Sequence, residues 1–179
     1  MDELVRETRL GKATVYRLYP TKDALVAAYL GRLRDTIFGL IDRDTGIARS
    51  PREALRAVLD AIGTDLRRPE FRGCAFNNAS IEFQNPQHPA RSIARDYRTG
   101  LVARLRDSAR RLLPDDHAAA DTLARRLAVL IDGAYANAAH LGPDGPAADG
   151  LALAYGLIDD AAHARRADPA APRPRTRRR

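Results

Sequence analysis

The segment 12–22 gathers side chains that suit binding to a polyanion. Its hydrogen-bond donors and positive charges are Lys12, Thr14, Tyr16, Arg17 and Lys22. Lys12 and Lys22 are the only lysines in a chain with 30 Lys and Arg residues. The small Ala13 lets the first turn of a helix approach a phosphate or a thymine methyl group. This chemistry is contact with the bases and phosphates of DNA, because donors and positive charges bind both groups.

Two short helices are predicted to position these side chains. The pattern predicts one helix at residues 3–8 and a second at residues 12–18, across a turn of about three residues. Val15 and Leu18 are expected to face the protein core, and Thr21 is a natural N-cap for the long helix that follows. Two short helices across a tight turn are a helix-turn-helix, whose second helix is sized for the major groove.

The run at residues 10–25, LGKATVYRLYPTKDAL, resembles the signature of the TetR/AcrR family of regulators. The shared pattern is a small or polar residue, a Thr, an aliphatic residue before a Tyr, a Phe or Tyr, and a Ser/Thr-Lys-Glu/Asp-x-Leu helix start. The resemblance implies phosphate or base contacts by Thr14, Tyr16, Arg17 and Lys22, with Lys12 and Ala13 facing the groove.

The resemblance also implies a further helix before this segment. Met1 falls inside what would be the second helix of such a domain, and Arg9 and Gly11 depart from the usual turn residues. We therefore expect an incomplete DNA-binding domain, whose true start lies upstream or whose gene product is truncated.

The rest of the chain predicts helices almost throughout, with apolar residues at spacings of three and four. Ser50, Pro51 and Glu53 form a capping box with proline at the first helical position. Gly46 is expected in the break before it, and Asp115 is expected to cap a later helix. No alternating strand pattern occurs. We predict an all-α fold, with an N-terminal, incomplete helix-turn-helix and a C-terminal helical bundle like that of the tetracycline repressor.

The predicted organisation has three parts. Residues 1–45 are the DNA-binding region and connecting helix, residues 46–165 a ligand-sensing and dimerisation domain, and residues 166–179 a disordered basic tail. Residues 165–179 contain seven Arg and one Asp, which is +6 of the formal net charge of +7. The basic charge as a whole is therefore weak support for DNA binding.

A second patch, residues 72–83, resembles a Gly-Cys-x-Phe/Leu-x-Asn-Ala-x-x-Glu-Phe run found in one group of these regulators. The resemblance implies a helix in the middle of the bundle, where family members hold an inducer. The candidate pocket residues are Phe76, Asn77, Ile81, His88, Tyr97 and Tyr135. The alternative is that these side chains fill the core. Cys74 is interpreted as a buried small hydrophobe rather than a redox sensor.

The last two predicted helices are rich in small residues. In the family these helices pair with their copies across a dimer interface. The candidate interface residues are Leu127, Leu130, Ala134, Leu153 and Leu157. The alternative is that the alanine content reflects codon bias and helix propensity.

The sequence lacks the residue patterns that are typical of other function classes. The sequence contains no phosphate-binding loop, paired acids or nucleophile motif for an enzyme, no metal-ligand spacing among its four histidines, and no pattern that requires a cofactor. It has no membrane-length apolar run, and its single cysteine fits the cytoplasm.

The sequence therefore predicts a one-component transcriptional regulator. We expect a repressor that binds palindromic operator DNA as a homodimer and is released by a small-molecule effector. The alternative is a helical, dimeric ligand-binding or adaptor protein that does not bind DNA.

Overall fold

The computed structural model describes residues 12–167, where all regular secondary structure is helical. Its helices are α1 (Lys12–Leu18), α2 (Lys22–Ile47), α3 (Pro51–Leu66), α4 (Ala75–Glu82), α5 (Pro89–Leu112), α6 (His117–Leu141) and α7 (Pro146–Ala167). The all-α prediction is confirmed. The helix predicted at residues 3–8 and most of the predicted tail lie outside the described residues. Between residues 12 and 167, no helix is both long and apolar enough to span a membrane.

The described residues divide into two compact units, whose boundaries fall inside α2 and α5. The first unit contains residues 12–40 together with Arg72–Leu101, and the second contains Ile41–Phe71 together with residues 102–167. Residues 72–101, which belong to the predicted sensing domain, thus lie in the same compact unit as α1.

Three aromatic rings form the centre of the first unit. Tyr97 of α5 lies between Phe76 of α4 and Phe38 of α2, with centroid distances of 3.8 Å and 5.5 Å. Both ring pairs are nearly parallel, at interplanar angles of 10°. Phe76 and Tyr97 are each only 3% exposed. Because each ring comes from a different helix, the stack holds α2, α4 and α5 together.

The second unit is built on the packing of α3, α6 and α7. Its largest fully buried side chains are Leu55, Leu59, Leu105, Leu127, Ile131 and Ile158. Ala124 of α6 and Ala154 of α7 are completely buried as well. Such small side chains let helices approach closely, so the alanine-rich sequence contributes to packing within the protomer.

Charged groups add to the contact between α3 and α7. Asp159 accepts hydrogen bonds from Arg52 at 2.8 Å and from Arg56 at 3.3 Å. The hydrogen bond from Arg52 lowers the pKa of Asp159 below its ordinary value. The Arg56 guanidinium also lies 4.5 Å from the ring centroid of Tyr155. Burial, followed by the hydrogen bond that its hydroxyl donates to Asp60, raises the pKa of Tyr155.

The predicted N-caps of α2 and α3 are present. Thr21 Oγ1 accepts the backbone N–H of Ala24 at 3.0 Å, and Ser50 Oγ accepts that of Glu53 at 3.2 Å. The break before α3 is shorter than predicted, because α2 continues through Gly46 and ends at Ile47. A glycine in the last turn of a helix costs only about 1 kcal/mol relative to alanine, which a long packed helix tolerates.

The cap of α6 differs from the prediction by one residue. Asp116, not Asp115, is the N-cap, and its Oδ1 accepts the backbone N–H of Ala119 at 2.8 Å. The side chain of an N-cap reaches the second or third residue of the helix, and α6 begins at His117. At its other end α6 stops at Gly142, whose φ of 85° favours glycine.

We expect Asp116→Ala to lower the free energy of unfolding by about 0.5–2 kcal/mol, because it removes the acceptor for a helix-end N–H. Urea denaturation at one fixed protein concentration measures the change. Asp115→Ala is the matched control and should change the free energy by less than about 0.5 kcal/mol. A larger effect at position 115 than at position 116 would contradict the assignment.

We expect Phe76→Leu to lower the free energy of unfolding by at least about 1 kcal/mol, since it removes one ring of the stack while keeping an apolar side chain. Ile81→Ala, in the same helix, should have little effect because Ile81 is 76% exposed. Thermal or urea denaturation of both variants compares them, and equal effects would show that the stack does not stabilise this unit.

Candidate nucleic-acid interface and ligand site

One side of α1 packs against the protein. Val15 is 3% exposed, and Tyr19, one turn later, is half-buried and donates its backbone N–H to the Val15 carbonyl at 2.8 Å. The prediction that Leu18 faces the core is wrong, because its side chain is 57% exposed. Leu18 is the last residue of the helix, and Tyr19 takes the inward position four residues after Val15.

The other side of α1 is open to solvent. Ala13 and Arg17 are exposed, Tyr16 is 42% exposed, and Thr14 is half-buried. Lys22 is exposed in the first turn of α2. Lys12 begins α1, and its side chain lies outside the described part of the structure. The predicted DNA contacts therefore stay predictions, with Tyr16, Arg17 and Lys22 accessible to a large partner.

A histidine lies beside this surface, in the same unit. His88 Nε2 is 3.3 Å from Asp23 Oδ2 in the first turn of α2. The imidazole stacks on Phe83, with centroids 4.0 Å apart, and its Nδ1 accepts the backbone N–H of Ala90 at 3.1 Å. Nδ1 is an acceptor, so it is the Nε2 side of the ring that faces Asp23, in a geometry that does not make a hydrogen bond. This polar contact, which is long for a hydrogen bond, joins the start of α5 to the residue after Lys22.

A cavity of about 230 Å³ lies between α4 and α5 in the first unit. The lining residues are Phe76, Asn77, Ser80, Arg91, Ala94, Arg95, Arg98 and Thr99. Two of the predicted pocket residues, Phe76 and Asn77, are among them. Sequence reasoning missed the three arginines, although their spacing of four and three residues places them on one face of α5. The high arginine content of the chain concealed that signal.

The other predicted pocket residues do not line this cavity. Ile81 is 76% exposed, because it lies five positions after Phe76 and so points about 140° away around the helix. Tyr97 is buried in the ring stack, and His88 contacts Asp23.

Tyr135 belongs to the second unit. Its hydroxyl donates to Asp65 Oδ2 at 2.8 Å, and its ring lies 5.7 Å from that of Phe71.

Two further expectations concern cysteine and metal chemistry. The side chain of Cys74 is buried at the N-cap position of α4, in agreement with the small-hydrophobe interpretation. Between residues 12 and 167, no group of three His, Cys, Asp or Glu side chains is arranged to hold a metal ion.

The candidate dimer-interface residues differ in how exposed they are in the single chain. Leu127 and Ala134 are 0% and 1% exposed, so their side chains are used inside the protomer and are not available to a partner. Leu130 and Leu157 are half-buried, and Leu153 is 56% exposed. The three-to-four-residue spacing of leucines alone does not distinguish a face packed within the protomer from one that meets a second copy.

Both terminal helices nevertheless expose apolar and small side chains. We call this set the α6–α7 surface and define it by Val129, Gly133, Ala136, Leu153 and Gly156. Val129, at 69% exposure, was not among the predicted residues. It lies four positions before Gly133 and seven before Ala136, so the three share one face of α6.

Comparison with solved structures places the fold among known regulators. A TetR-family transcriptional regulator from Streptomyces coelicolor matches with a TM-score of 0.82 and 28% sequence identity, over 90% of this chain and 84% of that one. A protein from Streptomyces avermitilis assigned to the TetR regulators matches with a TM-score of 0.71 and 30% identity, over 90% and 86% of the two chains. A TetR regulator from Legionella pneumophila, 19% identical over 89% and 83% of the two chains, has a TM-score of 0.74 and supports the fold alone.

No protein-family profile matches the chain, and no match was found among curated protein sequences. The likeness in sequence and structure to the two Streptomyces proteins extends over nearly the whole of each chain. It agrees with the burial pattern of α1, in which Val15 is buried while Tyr16 and Arg17 are exposed. The chain belongs to the TetR family of helix-turn-helix, DNA-binding transcriptional regulators.

Proposed function

We propose that this protein is a one-component repressor that binds palindromic operator DNA as a homodimer in the cytoplasm and releases it when a small molecule binds. The observation that carries the proposal is the two-sided character of α1. Val15 anchors one side in the protein, whereas Tyr16 and Arg17 on the other side, together with Lys22, are accessible. Membership of a family of transcriptional regulators supports the same function.

The dimensions and chemistry of α1 suit the major groove. Its seven residues rise about 1.5 Å each, or roughly 10 Å in total, and B-DNA has a major groove about 12 Å wide. Ala13 keeps the first turn narrow, and Thr14 and Tyr16 supply hydroxyl groups for base edges or phosphates. Arg17 and Lys22 supply the positive charge that makes binding depend on salt.

We expect Arg17→Ala to weaken binding to a palindrome from the DNA upstream of the gene by about tenfold at moderate salt. The magnitude of the slope of log affinity against log salt concentration should fall by about one for each phosphate that the variant no longer neutralises. Electrophoretic shift assays at several salt concentrations measure both quantities. Arg49→Ala, at an exposed arginine between α2 and α3, is the matched control and should bind as the unaltered protein does. Equal affinity of the two variants would contradict the placement of Arg17 on DNA.

The α6–α7 surface supports the proposed homodimer. Val129 and Leu153 are large apolar side chains exposed in the single protomer, and the neighbouring Gly133, Ala136 and Gly156 allow a helix backbone to come near. Burial of such a surface against its own copy releases water from apolar area. A two-fold dimer presents its two copies of α1 to successive turns of the major groove. This arrangement requires a palindromic operator.

We expect Val129→Asp to convert the dimer into single chains at micromolar concentration, because it places a carboxylate in an apolar contact. Analytical ultracentrifugation measures the mass. Thr36→Asp, at an exposed position of α2, introduces the same charge and should remain dimeric. A Val129→Asp variant that stays dimeric would exclude this surface as the interface.

Contacts within the first unit offer a route from ligand to DNA. The cavity lies between α4 and α5, and α5 begins beside His88, which contacts Asp23 next to Lys22. A ligand that changes the position of α5 relative to α4 would therefore alter a contact one residue from a proposed phosphate ligand. In this mechanism the effector favours a dimer geometry in which the two copies of α1 no longer match the spacing of successive major grooves.

A further inference from the structure

We propose that charge decides how two copies of this chain meet, with the basic face of α6 in one copy against the acidic face of α7 in the other. We call this contact the crossed pairing. It rests on the proposed homodimer and deepens it, by naming which helices meet and which partner the α6–α7 surface accepts. That partner is a second copy of this chain, because a copy brings both a basic and an acidic face to the contact.

The exposed face of α6 is basic. Arg126 lies three residues before Val129 and seven before Gly133, so it shares the face of α6 that contributes to the α6–α7 surface. Arg125, four residues before Val129, lies on the same side of the helix. Both arginines are exposed, and the side chain of Arg125 donates to the neutral hydroxyl of Thr122 at 3.0 Å. This face therefore carries two positive charges.

The acidic residues of α6 are engaged elsewhere. Asp121 is paired with Arg110 of α5 at 2.9 Å, and the hydrogen bond from Arg110 lowers the pKa of Asp121. Asp132 is half-buried and has a partner of its own within the chain. Neither aspartate is free to offset the arginines on the exposed face.

The exposed face of α7 is acidic. Asp149 lies four residues before Leu153, and Asp160 lies seven residues after Leu153 and four after Gly156. Both carboxylates are exposed and share the face of α7 that contributes to the α6–α7 surface. From residue 146 to residue 162, α7 contains neither lysine nor arginine. Two negative charges thus accompany the apolar and small side chains of this helix.

These charges differ from their neighbours in having no counter-charge within the described chain. Asp159 is paired with Arg52 of α3 at 2.8 Å. The next residue, Asp160, is exposed instead, and between residues 12 and 167 neither Asp160 nor Arg126 has a partner in an ion pair. An apolar patch with charged residues at its edge is the usual composition of a surface that meets another protein.

The signs distinguish two ways of forming a two-fold dimer. In the crossed pairing, each basic face lies against an acidic face, and symmetry repeats this contact. If each helix met its own copy instead, positive charges would face positive charges on α6 and negative would face negative on α7. Like charges across an interface weaken it, whereas opposite charges fix the partner and the register. The charges therefore favour the crossed pairing.

The test exchanges the charges in the full chain and measures dimerisation by sedimentation equilibrium at moderate salt. One double variant is Arg125→Glu with Arg126→Glu, and the other is Asp149→Arg with Asp160→Arg. Each alone places like charges across the crossed pairing, so its dimer dissociation constant should rise by at least about tenfold. In an equimolar mixture, the mixed dimer joins opposite charges at both contacts and should regain roughly the affinity of the unaltered protein.

The matched control reverses two exposed arginines away from α6 and α7. Arg32→Glu with Arg49→Glu makes the same change in net charge and should dimerise as the unaltered protein does. Circular dichroism checks that every variant keeps its helix content.

A neutral variant provides a second measurement. Asp149 lies in the first turn of α7, where a carboxylate favours the helix, so arginine at this position disfavours the helix start. Asp149→Asn with Asp160→Asn removes the acidic face without adding positive charge. The unaltered dimer should weaken as salt increases, whereas the affinity of this neutral variant should depend little on salt.

Two results would overturn the crossed pairing while the homodimer stands. In the first, both charge-reversed variants dimerise as tightly as the unaltered protein. In the second, they are weakened and their mixture regains no affinity. A chain that stays single at every concentration contradicts the proposed homodimer itself, so the failures of the two proposals are distinguishable.

Discussion

The stack of Phe38, Tyr97 and Phe76 is the contact on which the functional part of the first unit depends. Its rings come from α2, α5 and α4, at centroid distances of 5.5 Å and 3.8 Å. The start of α2 carries Lys22, and α4 and α5 form the walls of the arginine-lined cavity. Phe76 and Tyr97 are almost fully buried and Phe38 is half-buried, so the three rings are packed closely together. In the proposed mechanism, a displacement of α4 relative to α5 would reach α2 through this stack.

The second unit buries small side chains between its helices and exposes apolar ones on its surface. Ala124 and Ala154 are buried between α6 and α7, so these helices stay close without large side chains. Packing inside the protomer uses Leu127 and Ala134 and leaves Val129 and Leu153 on the surface. The proposed homodimer makes use of this division, since the same two helices would hold their own chain together and also meet a second copy.

The helical fold could be predicted from sequence because local signals determine it. Apolar spacing, the Thr21 and Ser50 caps and the glycine at position 142 identify where helices begin and end. The errors in the fold are small and local, as with Asp116 in place of Asp115 and the extension of α2 through Gly46. Asp115 and Asp116 are equally suited to cap a helix, and a long helix tolerates Gly46. Only the three-dimensional contacts therefore decide where these helices begin and end.

The candidate site was less predictable, because its members meet through tertiary packing. Of the residues that the family resemblance indicated, Phe76 and Asn77 line the cavity, whereas Ile81 faces solvent and Tyr135 lies in the second unit. The arginines at positions 91, 95 and 98 come to line one cavity only because α5 packs beside α4. Likewise, the exposure of Leu18 follows from Tyr19 filling the inward position, which the periodicity alone does not reveal.

The most direct measurement is selection of a random-sequence DNA library on the purified chain, followed by sequencing of the bound fraction. If a two-fold dimer inserts α1 into the major groove, the bound fraction should be enriched in an inverted repeat. The half-sites of that repeat should be separated by about one helical turn or a multiple of it. The repeat should persist as salt removes general phosphate binding. Enrichment of no sequence, or of a single unrepeated site, would contradict the account.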